Sequence, residues 1–134
     1  NFKENNLIEP DDNFSVFDSM KALDRFRRKG RLFDIVIADP PSFSHSEHGT
    51  WSVERGLSAL TASCLRILKP GGLLVLATNH GKMSPKDFSK HVRDAGFKTN
   101  RRLRIIHQYS PPCDFPAAIS FPESRYLKCW VVSA

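Results

Sequence analysis

Two uninterrupted apolar runs separated by an amphipathic segment predict an α/β domain built on a mostly parallel sheet. "LFDIVIAD" (Leu32 to Asp39) and "LLVLAT" (Leu73 to Thr78) lack the polar alternation of a strand with one wet face. Runs of that kind suit strands covered on both faces. Between them Leu57, Leu60, Cys64, Leu65 and Leu68 recur at helical spacing, the pattern of a crossover helix. The last two strands have no helix between them, so the final one is expected to run antiparallel to its neighbour.

The elements follow in order. Residues 1–7 read as the end of a helix anchored by Phe2 and Leu7, and "EPDDN" (Glu9 to Asn13) as a loop. "FSVF" (Phe14 to Phe17) reads as a short strand ending at Asp18. A helix follows from about Ser19 to Lys29, with Met20, Leu23 and Phe26 as a narrow buried stripe, and Gly30 ends it. After the strand 32–39 comes a Ser/His-rich loop, then a helix over about 52–68 that "KPGG" (Lys69 to Gly72) stops. "SPKDF" opens the next helix with Ser84 as N-cap, Pro85 in the first turn and Asp87 at the positive end. Gly96 is expected to close it. "LRIIHQY" (Leu103 to Tyr109) is a strand, residues 110–124 a long loop, and "RYLKCWVV" (Arg125 to Val132) a last strand with alternating burial. The sum is a Rossmann-like sheet with flanking helices, or most of one, in a single domain over residues 1–134.

Composition narrows the class. The 134 residues are 40% hydrophobic and 25% charged, as in an ordinary globular domain. No apolar run approaches the roughly 20 residues of a membrane span, and no secretory leader or transit peptide is visible. The chain starts at Asn1 inside a polar, helix-like pattern, which suggests that upstream sequence is missing. A net charge of +6 favours a polyanionic partner or simply a basic surface. Two clusters concentrate it, "RFRRKGR" (Arg25 to Arg31) and "KTNRRLR" (Lys98 to Arg104). Cys64, Cys113 and Cys129 form no CxxC pair, which fits reduced thiols in the cytoplasm and gives no metal centre. His45, Glu47 and His48 crowd one loop and make a poor chelate.

The chemistry concentrates where "FDIVIA" meets "DPPSF". Ligands of open α/β sheets bind outside the carboxyl ends of the strands, and Asp39, Asp18, Asn79 and His80 all fall at such ends. Pro40 and Pro41 stop the ladder and fix the chain direction, leaving carbonyl oxygens without competing N–H groups. Phe43 offers a face on which a base could stack. The bland alternatives are a loop cap and a turn for the Asp-Pro-Pro triplet, a helix N-cap for Asp18 and a structural loop residue for His80.

"FDIVIADPPSF", "LKPGGLLVLATNH" and "DFPAAISFPESRYLKCW" resemble the class I S-adenosylmethionine-dependent methyltransferases. More narrowly they resemble the family that methylates bases of large-subunit ribosomal RNA, including cytosine-C5 enzymes. The resemblance implies a C-terminal part of one catalytic domain, with S-adenosylmethionine as cofactor and RNA as partner. Asp39, Pro40, Pro41 and Phe43 then match the methyl-acceptor motif, with Asp39 and Pro40 also beside the cofactor. Asp18 matches the acid that binds the cofactor's adenine amino group, and Asn79 and His80 complete the pocket. The sequence departs from that pattern twice. The family's glycine-rich cofactor loop would precede Asn1, and Gly71 and Gly72 cannot replace it, so the chain alone is expected to bind the cofactor weakly. C5 chemistry needs a thiolate, yet Asn79 and His80 stand where that cysteine would be, leaving transfer to a nitrogen or a thiol from Cys113. A non-catalytic RNA-binding scaffold, or a methyltransferase for protein or small molecules, remain the alternatives.

Overall fold

The computed structural model describes residues 2–7, 14, 16–46, 49–121 and 124–134. Three helices are present among them: α1 (Ser19–Arg28), α2 (Val53–Arg66) and α3 (Pro85–Thr99). The strands are β1 (Phe33–Ala38), β2 (Phe43–Ser46), β3 (Gly49–Ser52), β4 (Leu68–Thr78), β5 (Arg104–Tyr109) and β6 (Lys128–Ser133). The main sheet has the order β1-β4-β6-β5, and β2 and β3 form a separate hairpin. β1 and β4 are parallel, while β6 runs antiparallel to both β4 and β5. The antiparallel last strand is as expected, and it inserts between its two neighbours instead of adding at the edge.

One face of the sheet carries the core. Leu74, Leu76, Trp130 and Val132 point to it and pack with Leu57, Leu65 and Phe88 from α2 and α3. Full burial of each such side chain contributes about 1.5–3 kcal/mol. Phe88 meets Trp130 edge-on, with ring centroids 5.0 Å apart, a favoured aromatic geometry. The alternation along β4 from Gly72 onward and along β6 follows from the two-residue period of a strand.

Several expectations need correction. β1 is an edge strand of this sheet, not a central one, and its Ile35 and Ile37 are 56% and 73% exposed. Phe14, Val16 and Phe17 form no strand, because a strand needs a ladder partner and they meet none among the described residues. The first residues make a single 3-10 turn, Lys3–Asn5, in place of a helix end. No residue of α1 is fully buried, so its Leu23 stripe only leans on the core. The Ser/His-rich stretch contains the β2/β3 hairpin, and β4 begins at Leu68, taking in Lys69 to Gly72. The loop 9–13 lies outside the described residues.

α3 starts as expected, with a capping box: Ser84 Oγ accepts from the Asp87 N–H, and Asp87 Oδ2 accepts from the Ser84 N–H. It does not end at Gly96. The helix runs on to Thr99 and closes on Asn100, whose φ is 52°. Gly96 is there for close approach, since a Cβ would stand 3.0 Å from Leu103 Cδ1 and 3.2 Å from the Arg101 carbonyl oxygen. No helix among the described residues is long and apolar enough to cross a membrane.

Candidate functional site

β1 delivers Asp39 to the rim of the sheet. Asp39 and Pro41 are exposed and Pro40 is half-buried. The prolines lack the N–H that would continue the ladder, and the chain then turns back, with the Ser42 carbonyl accepting from the Val53 N–H at 2.9 Å. Beside this turn lies an open cavity of about 330 Å³, lined among others by Asp18, Met20, Asp39, Pro40, Pro41 and Trp51. Asp18 reaches it as the N-cap of α1, where its Oδ1 accepts from the Lys21 N–H at 3.0 Å. Trp51 is seated against α2 at Gly56, where a Cβ would collide with the indole ring. Only glycine admits that ring.

A second loop, after β4, meets the first. Ser42 Oγ donates to Asn79 Oδ1 at 3.1 Å, tying the Pro40–Pro41 turn to the tip of β4. His80 Nε2 lies 2.8 Å from Glu54 Oε1 in the first turn of α2. A carboxylate there accepts the Nε2–H and leaves the lone pair on Nδ1. From behind, Lys128 is 7% exposed and its Nζ donates to the carbonyl oxygens of His80 and Met83, each at 2.8 Å. Burial lowers the Lys128 pKa from its ordinary value.

Of the residues singled out in the sequence, Asp18, Asp39, Pro40 and Pro41 line one cavity. Asn79 and His80 do not line it; Asn79 is tied to Ser42, next to Pro41, and His80 to Glu54. Phe43 is 64% exposed and its ring meets His45 edge-on, 6.2 Å between centroids. Cys113 is exposed, Cys64 buried and Cys129 half-buried. Burial first, and the Asp39 carboxylate second, push the Cys129 thiol up, away from the thiolate. His45 Nδ1 sits 3.1 Å from Thr50 Oγ1 within the hairpin, while Glu47 and His48 lie outside the described residues. No group of three metal-binding side chains occurs among the described residues.

Sequence reasoning missed Trp51, Glu54 and Lys128. Lys128 had a readable signal: with Trp130 and Val132 it shares the inward phase of the last strand, and a lysine there demands carbonyl partners. Glu54 had none, since its link to His80 spans 26 residues and two elements.

No family model matches the chain. The "Ribosomal RNA large subunit methyltransferase I" of Shewanella frigidimarina is 31% identical over 128 residues, 96% of this chain and 32% of that protein. Its namesake from Photobacterium profundum is 33% identical over 134 residues, 98% of this chain and 34% of that protein. The chain thus spans about a third of the length of the curated relatives it matches. Among solved structures, "SMU.776, a putative methyltransferase complexed with SAH" superposes with a TM-score of 0.89 at 27% identity, over 99% of this chain and 34% of that one. "A putative sam-dependent methyltransferase from Streptococcus mutans" gives 0.85 at 26% identity, with the same shares. The chain therefore has the Rossmann-like fold of the S-adenosylmethionine-dependent methyltransferases, and along nearly all its length its sequence resembles the ribosomal RNA large subunit methyltransferases.

Proposed function

We propose that the protein carrying this chain transfers a methyl group from S-adenosylmethionine to a base of ribosomal RNA in the cytoplasm. In this reading the chain is the C-terminal part of the catalytic domain and holds the acceptor side of the site. The observation that carries it is the single cavity shared by Asp18 and the Asp39-Pro40-Pro41 turn. That cavity suits an adenine: Met20 and Trp51 offer apolar walls, and Asp18 keeps a carboxylate oxygen beyond the one that caps α1.

When bound, S-adenosylmethionine supplies an electrophilic sulfonium methyl. The protein's task is then proximity and orientation. Asp39 and the Pro40 carbonyl accept hydrogen bonds from the acceptor base, Phe43 stacks on it, and Asn79 reads its edge. His80, oriented by Glu54, takes the proton released as the new bond forms. Asn79 and His80, standing where a C5 enzyme would carry its cysteine, favour transfer to nitrogen over a thiolate-dependent C5 route.

The test is Asp39→Ala in the intact protein, assayed on ribosomal RNA. The methylation rate is expected to fall about 100-fold, the scale of lost positioning, with RNA affinity unchanged. Wild-type methylation by the variant sinks the assignment, and no methylation by the parent itself favours a scaffold.

A further inference from the structure

A groove larger than the cavity at Asp39 lies elsewhere in the molecule. It runs between α3 and the β5–β6 edge, has a volume of about 560 Å³, and has no acidic residue in its lining. Trp130, Val132 and Leu103 contribute to its apolar lining. At its mouth stand Phe97 and Ile105, 77% and 49% exposed. Four arginines surround it. Arg101 is committed to the carbonyls of Lys69 and Leu68. Arg93, Arg102 and Arg104 are exposed, and their guanidinium groups have no hydrogen-bond or ion-pair partner among the described residues.

We propose that this groove binds a single-stranded segment of the RNA, with phosphates on Arg93, Arg102 and Arg104 and a base stacked on Phe97. Three free guanidinium groups around an apolar floor complement a backbone of phosphates carrying flat apolar bases. A duplex would present phosphates but no base face to Phe97, and an acidic peptide would leave the ring uncovered. Arg104 pairs with Ser133, which pairs with Leu73, five residues before Thr78 on β4. The Arg104 end of the groove therefore lies about 20 Å along the strand direction from Asn79 at strand spacing. It is a holding site remote from the chemistry. The proposal rests on RNA being the substrate.

The experiment is fluorescence anisotropy of the intact protein with a labelled 20-nucleotide single-stranded RNA across a salt series, alongside methylation kinetics on ribosomal RNA. The variant Arg93→Gln/Arg102→Gln/Arg104→Gln is expected to flatten the slope of log Kd against log salt by about 2, from roughly 0.7 per phosphate contact. Phe97→Ala should weaken binding about tenfold. In kinetics both should raise KM for RNA and leave kcat unchanged. Should the triple variant fold poorly, Arg102→Gln alone should change the slope by about 0.7. An unaltered slope and Kd overturn the proposal, as does equal competition by an RNA duplex or by polyglutamate. If the variants lose RNA while the parent methylates nothing, the groove stands and the methyltransferase reading falls.

Discussion

Lys128 and His80 are joined across 48 residues, the lysine Nζ donating to the histidine carbonyl oxygen at 2.8 Å. The same ammonium holds the Met83 carbonyl, so β6 fixes the backbone of the loop that carries Asn79 and His80. Lys128→Met should orphan two carbonyls and lower the unfolding free energy by about 2–3 kcal/mol, one desolvated acceptor costing about 1–3. Urea melts measure it. The pH dependence has a definite sign. Burial depresses the Lys128 pKa below 10.5, so the unfolded chain holds this proton more tightly. The lysine's contribution to stability therefore rises with pH, from the depressed folded value up to 10.5. That alkaline increment should vanish in the methionine variant.

His80 and Glu54 form the next testable pair. If Glu54 fixes the tautomer that presents Nδ1, Glu54→Gln should lower kcat without changing KM for RNA. His80→Ala should lower kcat further, by about 100-fold, the lower range for a positioned base. A variant at either position with full kcat removes His80 from the proton path.

How much of this was legible in the sequence depended on whether the signal was local. The capping box at Ser84 and Asp87 is written in four residues, and the structure shows it. The two apolar runs announced β1 and β4, but apolarity says only that a strand is suited to burial, not that neighbours are present. β1 accordingly stands at an edge with Ile37 exposed. Gly96 misled because glycine marks both helix ends and close contacts, and here Leu103 decides for contact. Asp39 was readable as a strand-end acid, whereas Asp18, read the same way, follows no strand and enters as the N-cap of α1. That they line one cavity depends on how α1 packs, which no local pattern encodes.

The cysteines should react in a defined order. Burial pushes the Cys64 thiol up to about 11, so a thiol reagent near pH 8 should label exposed Cys113 first and Cys64 only on unfolding. Cys129 carries a finer test. The Asp39 carboxylate contributes to raising its thiol, so Asp39→Asn should speed Cys129 labelling by favouring the thiolate. An unchanged rate would show that the carboxylate does not act on that face of β6.

Removing the Ser84 hydroxyl addresses stability alone. It accepts from the Asp87 N–H at 3.1 Å, and Ser84→Ala should cost about 1 kcal/mol, the usual value of an N-cap. The Asp87 carboxyl is held below its usual range by hydrogen bonds from Ser84. A depressed carboxyl stabilises above its unfolded pKa of 3.8 and loses that contribution as pH falls through the folded value. Ser84→Ala should therefore narrow the gap between wild type and variant in acid and leave it full at neutral pH.

Cofactor affinity is the sharpest prediction for the chain by itself. The cavity at Asp18 and Asp39 offers an adenine two apolar walls and carboxylates, but a methionine moiety also needs partners for its own carboxylate. Backbone N–H groups at a strand–glycine–helix turn are the usual device. Among the described residues the positive-φ glycines Gly30, Gly49 and Gly71 follow a helix, lie in the hairpin or sit inside β4, and Gly81, between β4 and α3, stands alone and makes no glycine-rich turn. Calorimetric titration of the 134-residue chain with S-adenosylmethionine should thus show a Kd weaker than about 1 mM, less than about 4.1 kcal/mol of binding free energy. Adenosine should bind almost as well, because the adenine end carries what affinity exists. Micromolar binding of S-adenosylmethionine, with adenosine far weaker, would mean that residues of this chain hold the methionine end as well.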